Sequence, residues 1–143
     1  MTWAGGDDDP SDSKTRTFDA PFPFGHLYQG FADVFSWKNG MDIAVYLRGK
    51  PSATVTLALD IHMFRVAEEL DAWYGADQKV IRPGAAGASP SLGTEVDLHA
   101  RITLDKVVKL WVGWSHFFPG AFVGDTGDDP AMDWIFAQMT VDF

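Results

Sequence analysis

From Met41 onward the chain alternates apolar and polar side chains over long runs, and the connections between the runs alternate short and long. Alternation places successive side chains on opposite faces of a strand, so each run reads as a β-strand with one apolar face. The predicted strands are 41–49, 54–66, 92–104, 107–116 and 132–143. Their apolar faces carry Met41, Ile43, Val45 and Leu47; Val55, Leu57, Leu59, Ile61 and Met63; and Val96, Leu98, Ala100, Ile102 and Leu104. Val108, Leu110, Val112 and Trp114 continue the pattern, as do Ile135, Ala137, Met139, Val141 and Phe143. The opposite faces hold Arg48, Asp60, His62, Glu95, Asp97, His99, Arg101 and Lys109.

The turns Gly49–Ala53 and Asp105–Lys106 are tight, whereas Ala67–Ser91 and Phe117–Ala131 are long and rich in loop-forming residues. In an up-and-down antiparallel sheet this puts every long loop at one end. Outer-membrane barrels have that asymmetry, with short periplasmic turns and long extracellular loops. Each strand is also close to the roughly 9–11 residues that cross a bilayer when tilted. A soluble barrel would turn the apolar face inward; a membrane barrel turns it to lipid and its charges to a wet lumen. The aromatics Trp73, Tyr74, Trp111, Trp114, Phe117, Phe118, Trp134 and Phe136 are expected near the long-loop ends, where amphipathic rings favour a membrane interface.

Composition narrows the partners. With 143 residues and a formal net charge of -9, nucleic acid is not expected, because phosphate binding needs a basic face. There is no cysteine, hence no disulfide framework and no thiolate metal site. No apolar run approaches the roughly 20 residues of a membrane helix, and no basic-then-apolar leader opens the chain. Residues 1–40 read as an acidic loop region containing Asp7, Asp8, Asp9 and Asp12. Within it, 26–37 is compatible with a helix, through Leu27, Phe31, Val34 and Phe35, or with a strand, through Leu27, Gln29, Phe31, Asp33 and Phe35.

Several stretches together resemble the alginate-export family of outer-membrane β-barrels: Gly6-Asp7-Asp8-Asp9-Pro10-Ser11-Asp12, Thr17-Phe18-Asp19, Phe22-Pro23 and Gly25-His26. So do Gly30-Phe31-Ala32-Asp33-Val34-Phe35 with Trp37, Leu59-Asp60-Ile61-His62-Met63-Phe64, and Asp71-Ala72-Trp73-Tyr74. Gly93-Thr94-Glu95-Val96-Asp97-Leu98 and Ser115-His116-Phe117-Phe118-Pro119-Gly120 extend the likeness over nearly the whole chain. The resemblance implies an all-β fold: the C-terminal five antiparallel meander strands of a barrel of about eighteen. A sixth is added if Met1–Trp3 is the stub of a preceding strand. It also implies that 26–37 packs in or over the mouth. Five strands with free edges cannot close a membrane wall, so the chain is expected to be part of a longer barrel.

The implied setting is the bacterial outer membrane, with lipid and the barrel-insertion machinery as partners. Phe143, with Val141 and Met139 on its face, resembles the terminal signal which that machinery reads. The implied role is a porin-like channel passing an alginate-like anionic polysaccharide or small solutes. Arg48, Asp60, His62, Glu95, Asp97, His99, Arg101 and Lys109 would line the path, Arg48, Arg101 and Lys109 as cationic stations. The carboxylates on the same face make that lining mixed rather than basic.

Asp60/His62 and Glu95/Asp97/His99 are i, i+2 sets on one face, a pattern that could also bind a metal or do acid–base work. Cross-strand charge ladders are the expected reading, so no catalytic residue, metal or cofactor is assigned. The competing architectures are a soluble or periplasmic ligand-binding β-barrel and a structural subunit of a larger membrane assembly.

Overall fold

A computed structural model of the chain describes residues 1–143 apart from Phe24, Gly25 and Leu27. Six strands form one open antiparallel sheet in the order β1 (Thr2–Ala4), β2 (Gly40–Gly49), β3 (Val55–Val66), β6 (Ser91–Thr103), β7 (Val108–Pro119) and β8 (Met132–Val141). Between β3 and β6 the chain makes a small hairpin of β4 (Trp73–Tyr74) and β5 (Val80–Arg82). One helix, α1 (Ala121–Thr126), lies between β7 and β8. The segments between β1 and β2, β3 and β6, and β7 and β8 are long and share one end of the sheet; the turns after β2 and β6 are tight.

The register puts like with like across the sheet. Leu59 faces Leu98 and Leu98 faces Trp114 on the outer side; Ala58 faces His99 and Asp60 faces Asp97 on the inner side. The outer face is aliphatic and unclothed: Val45, Leu47, Leu57, Met63, Leu98, Ile135, Met139 and Val141 are all exposed. An apolar surface this continuous is costly in water and suits lipid. The packed core is on the inner face near the long-loop end, where Val34, Phe35, Phe64, Val66, Trp73, Leu92, Phe117 and Phe122 meet.

β7 continues past His116 to Pro119 because Phe117, Phe118 and Pro119 keep pairing with Glu95, Thr94 and Gly93. β8 ends at Val141, opposite Val108, so Asp142 and Phe143 lie beyond the ladder. A register shift between Phe64 and Arg65 leaves Leu92 extra on β6 and turns it fully into the core. Gly93 beside it has φ +155, and a Cβ there would sit 2.6 Å from the Phe117 ring, so only glycine fits.

Segment 26–37 forms neither a helix nor a strand among the described residues; Leu27, on which both periodicities drew, lies outside them. Positive φ at Gly30 (90°) and Asp33 (58°) breaks both repeats. The apolar residues are instead buried because the segment folds inward against the sheet: Phe31, Ala32, Val34 and Phe35 are all buried. The aromatics also divide differently from the expected belt. Trp111, Phe117, Trp134 and Phe136 are on the inner side of the register, with Gly113 and Ser115; Trp114 and Phe118 are on the outer side near the long-loop end.

Candidate functional site

The inner face of β2, β3, β6 and β7 gathers charge, and all eight residues singled out from the sequence lie on it. They fall into two groups. Asp60, His62, Glu95, Asp97 and His99 are buried, whereas Arg48, Arg101 and Lys109 remain exposed towards the short-turn end.

Over Glu95 and His99 of the first group lie residues 29–36, an inward strap. The backbone N–H of Ala32 donates to Glu95 Oε1 at 2.9 Å. Phe31 sits edge-on to His99 and Trp111, with ring centroids 5.1 and 5.4 Å away, and against Phe136 at 5.2 Å. Phe35 stacks on Phe64 at 4.5 Å with planes 10° apart. Trp73 Nε1 donates to the Val34 carbonyl at 2.5 Å, tying the strap to the β4–β5 hairpin.

Under the strap the polar groups pair across strands. His62 Nδ1 shares a hydrogen bond with Asp42 Oδ2 at 3.0 Å, and its Nε2 lies 4.0 Å from Asp97. Trp111 Nε1 donates to His99 Nδ1 at 3.0 Å, so that nitrogen is the acceptor, and Nε2 faces Asp60 at 3.4 Å. Asp60 directly opposes Asp97, a like-charge pair that would disfavour the register. The Arg48 guanidinium relieves it by a two-pronged pairing with both Asp60 oxygens. Both oxygens of Asp97, Oε2 of Glu95 and the Ser115 hydroxyl have no hydrogen-bond partner among the described residues. No group of three or more His, Asp or Glu side chains among the described residues is arranged to hold a metal ion.

Below the strap the face is open. A recess of about 260 Å³ is lined by Phe31, Tyr46, Arg48, Thr56, Ala58, Asp60, His99 and Arg101. A second, of about 360 Å³, includes Arg101, Lys109, Trp111, Gln138 and Thr140. Lys109 is paired with Asp142 at 2.7 Å. Among the described residues Arg101 has no carboxylate partner, and it lies over the Trp111 ring, 4.5 Å from its centre.

At the long-loop end, Asp71 ties the acidic lead to the hairpin. Its carboxylate accepts from the Asp7 backbone at 2.9 Å, from Thr17 Oγ1 at 2.6 Å and from Tyr74 Oη at 2.8 Å. Burial, then the hydrogen bond to Asp71, pushes the Tyr74 hydroxyl up to about 12. The aspartate run itself is organised by Arg16, which pairs with Asp7, Asp8 and Asp12. Its hydrogen bond to Asp12 holds that carboxyl below the usual range.

The strap is the part of the candidate site that the alternation could not reveal. Its signal was the pair Gly30 and Phe31: a glycine whose Cβ would strike the Glu95 carboxylate, next to a ring that three aromatics enclose. Met139 and Val141 are exposed on the outer face, and Phe143 follows them beyond β8.

An antiparallel meander with an aliphatic outer face, a charged inner face and an inward-folded loop defines a wall of an outer-membrane β-barrel. A family model described as alginate export matches residues 1–137 of the 143, and the chain belongs to that family. It is therefore an outer-membrane protein of alginate-export type, from an export family rather than an enzyme family. No curated protein matches the chain.

Proposed function

We propose that this chain walls a channel that passes an alginate-like anionic polysaccharide or small anionic solutes across the outer membrane. The observation that carries the reading is Arg101, exposed on the inner face, without a carboxylate partner among the described residues, its guanidinium 4.5 Å from the centre of the Trp111 ring. A guanidinium steadied over an aromatic ring suits a sugar acid: the ring holds the side chain in place and the fork takes the carboxylate. Lys109 and Arg48 flank it as further cationic stations, each already partnered by Asp142 or Asp60. The buried residues Asp60, His62, Glu95, Asp97 and His99 act in this reading as the scaffold of the wall rather than as its wet lining. The long loops then face outward from the cell and the tight turns face the periplasm. Met139, Val141 and Phe143 serve as the signal for the insertion machinery.

Conductance in planar bilayers of the full-length barrel to which this wall belongs tests the reading. Arg101→Glu with Lys109→Glu is expected to shift the zero-current potential in a salt gradient away from anion preference. A protein that inserts but never conducts would overturn the channel reading; an unchanged potential would remove these two residues from the path.

A further inference from the structure

We propose that the strap, residues 29–36, is the selectivity element of this wall: it narrows the passage and hides the acidic half of the inner face from the cargo. The inference rests on the channel reading above and locates the discrimination within it.

Carboxylates outnumber cations on the inner face, which is a poor surface for a polyanion. Their exposure reverses that balance. Asp97 and Glu95 are 0% exposed, whereas Arg101 is exposed and Arg48 and Lys109 keep about half of their side chains in solvent (45% and 56%). The difference follows the strap. Its Ala32 N–H occupies one Glu95 oxygen, Gly30 packs against the same carboxylate, and Phe31 closes the edge over His99. Glu95 Oε2 and both Asp97 oxygens have no hydrogen-bond partner among the described residues, so these groups gain hydration as soon as the strap lifts. The strap also adds a layer of backbone and aromatic rings to the wall, which takes cross-section from the lumen. Removing its hold should therefore raise conductance and lower anion preference together.

Phe31→Ala empties the aromatic box that anchors the strap. Reconstituted in planar bilayers, this variant is expected to show higher single-channel conductance and a loss of anion preference. Adding Glu95→Gln and Asp97→Asn to it should restore anion preference while conductance stays high. A merely loosened wall would not give that reversal. Masking is read separately from conductance. The chain contains no cysteine, so Asp97→Cys supplies a single thiol. It should resist a water-soluble maleimide with the strap intact and react in the Phe31→Ala background.

If Phe31→Ala does not insert, Trp73→Phe, which loses the donor to the Val34 carbonyl, is read in the same way. Wild-type conductance and potential in the strap variants, or equal labelling of Asp97→Cys with and without Phe31, would overturn the inference. A wild-type protein that does not conduct, but whose thiol is masked as expected, would instead fail the channel reading and leave the masking established.

Discussion

The guanidinium of Arg101 lies 4.5 Å over the ring of Trp111, on a face where Arg48 and Lys109 are each paired with a carboxylate. Arg101 and Trp111 are direct cross-strand partners, so the register itself sets the contact. The same indole donates to His99, which in turn faces Asp60. A single side chain thus fixes both the free cation and the paired network. Trp111→Phe should keep the plane beneath Arg101 and keep most anion preference. Trp111→Ala should lose the cation–π hold, worth about 0.5–1 kcal/mol at an exposed site, and leave His99 Nδ1 without its donor. Zero-current potentials of the two variants against wild type check this. Equal potentials for the phenylalanine and alanine variants would count against the stack.

The assignment of faces gives a second expectation. Leu98 is on the outer face and 53% exposed, between Leu59 and Trp114. Leu98→Arg would put a charge in hydrocarbon and should cost about 2–4 kcal/mol if it sits near the bilayer midplane. Gln138, exposed on the inner face opposite Trp111, should accept arginine with little loss. Unfolding from lipid vesicles by denaturant compares the two. If Gln138→Arg were the more damaging, the faces would be reversed and the lipid-facing reading would fail.

The sheet could be read from the sequence because alternation is a local rule, and Met41, Ile43, Val45 and Leu47 obey it whatever they pack against. The lengths of the connections gave the order of the strands for the same reason. The strap could not be read that way. Its shape depends on Phe31 meeting His99, Trp111 and Phe136 from three different strands, contacts that no period within 26–37 encodes. The β4–β5 hairpin is too short to show a pattern, and α1 has no side-chain cap to announce it. Alternation puts the eight inner-face residues on one side of the sheet, but it says nothing of which are buried, and Glu95 and His99 are covered by contacts from the strap.

Stability of the mouth should depend on the stack of Phe35 on Phe64. Phe64 is 1% exposed and stacks with both the Phe35 and the His62 rings. Phe64→Ala should cost about 3–5 kcal/mol through lost burial and the cavity left behind. Phe64→Leu should recover much of that, since it refills most of the volume. Denaturant midpoints in detergent give the comparison. A Phe64→Ala variant within error of wild type would mean that the strap does not pack on β3 as described.

The acidic lead should loosen in base because of Tyr74. Burial first, and then its hydrogen bond to Asp71, raise this hydroxyl from its ordinary value of 10.0 to about 12. The folded state therefore holds the proton more tightly than the unfolded chain does. The stability this contributes is fully present below about pH 10, declines as pH rises, and is gone above about pH 12, where both states are ionised. Ionisation would also remove the donor to Asp71 and set a phenolate beside that carboxylate, which holds Asp7 and Thr17. Tyr74→Phe keeps the ring under Lys38 and lacks the titrating group. The tyrosinate absorbance of wild type minus that of Tyr74→Phe should titrate well above the ordinary tyrosine range. The denaturant midpoint should fall less steeply in the phenylalanine variant across the same window. A difference titration centred near pH 10 would show that Tyr74 is not buried against Asp71, and that the lead is held by other contacts.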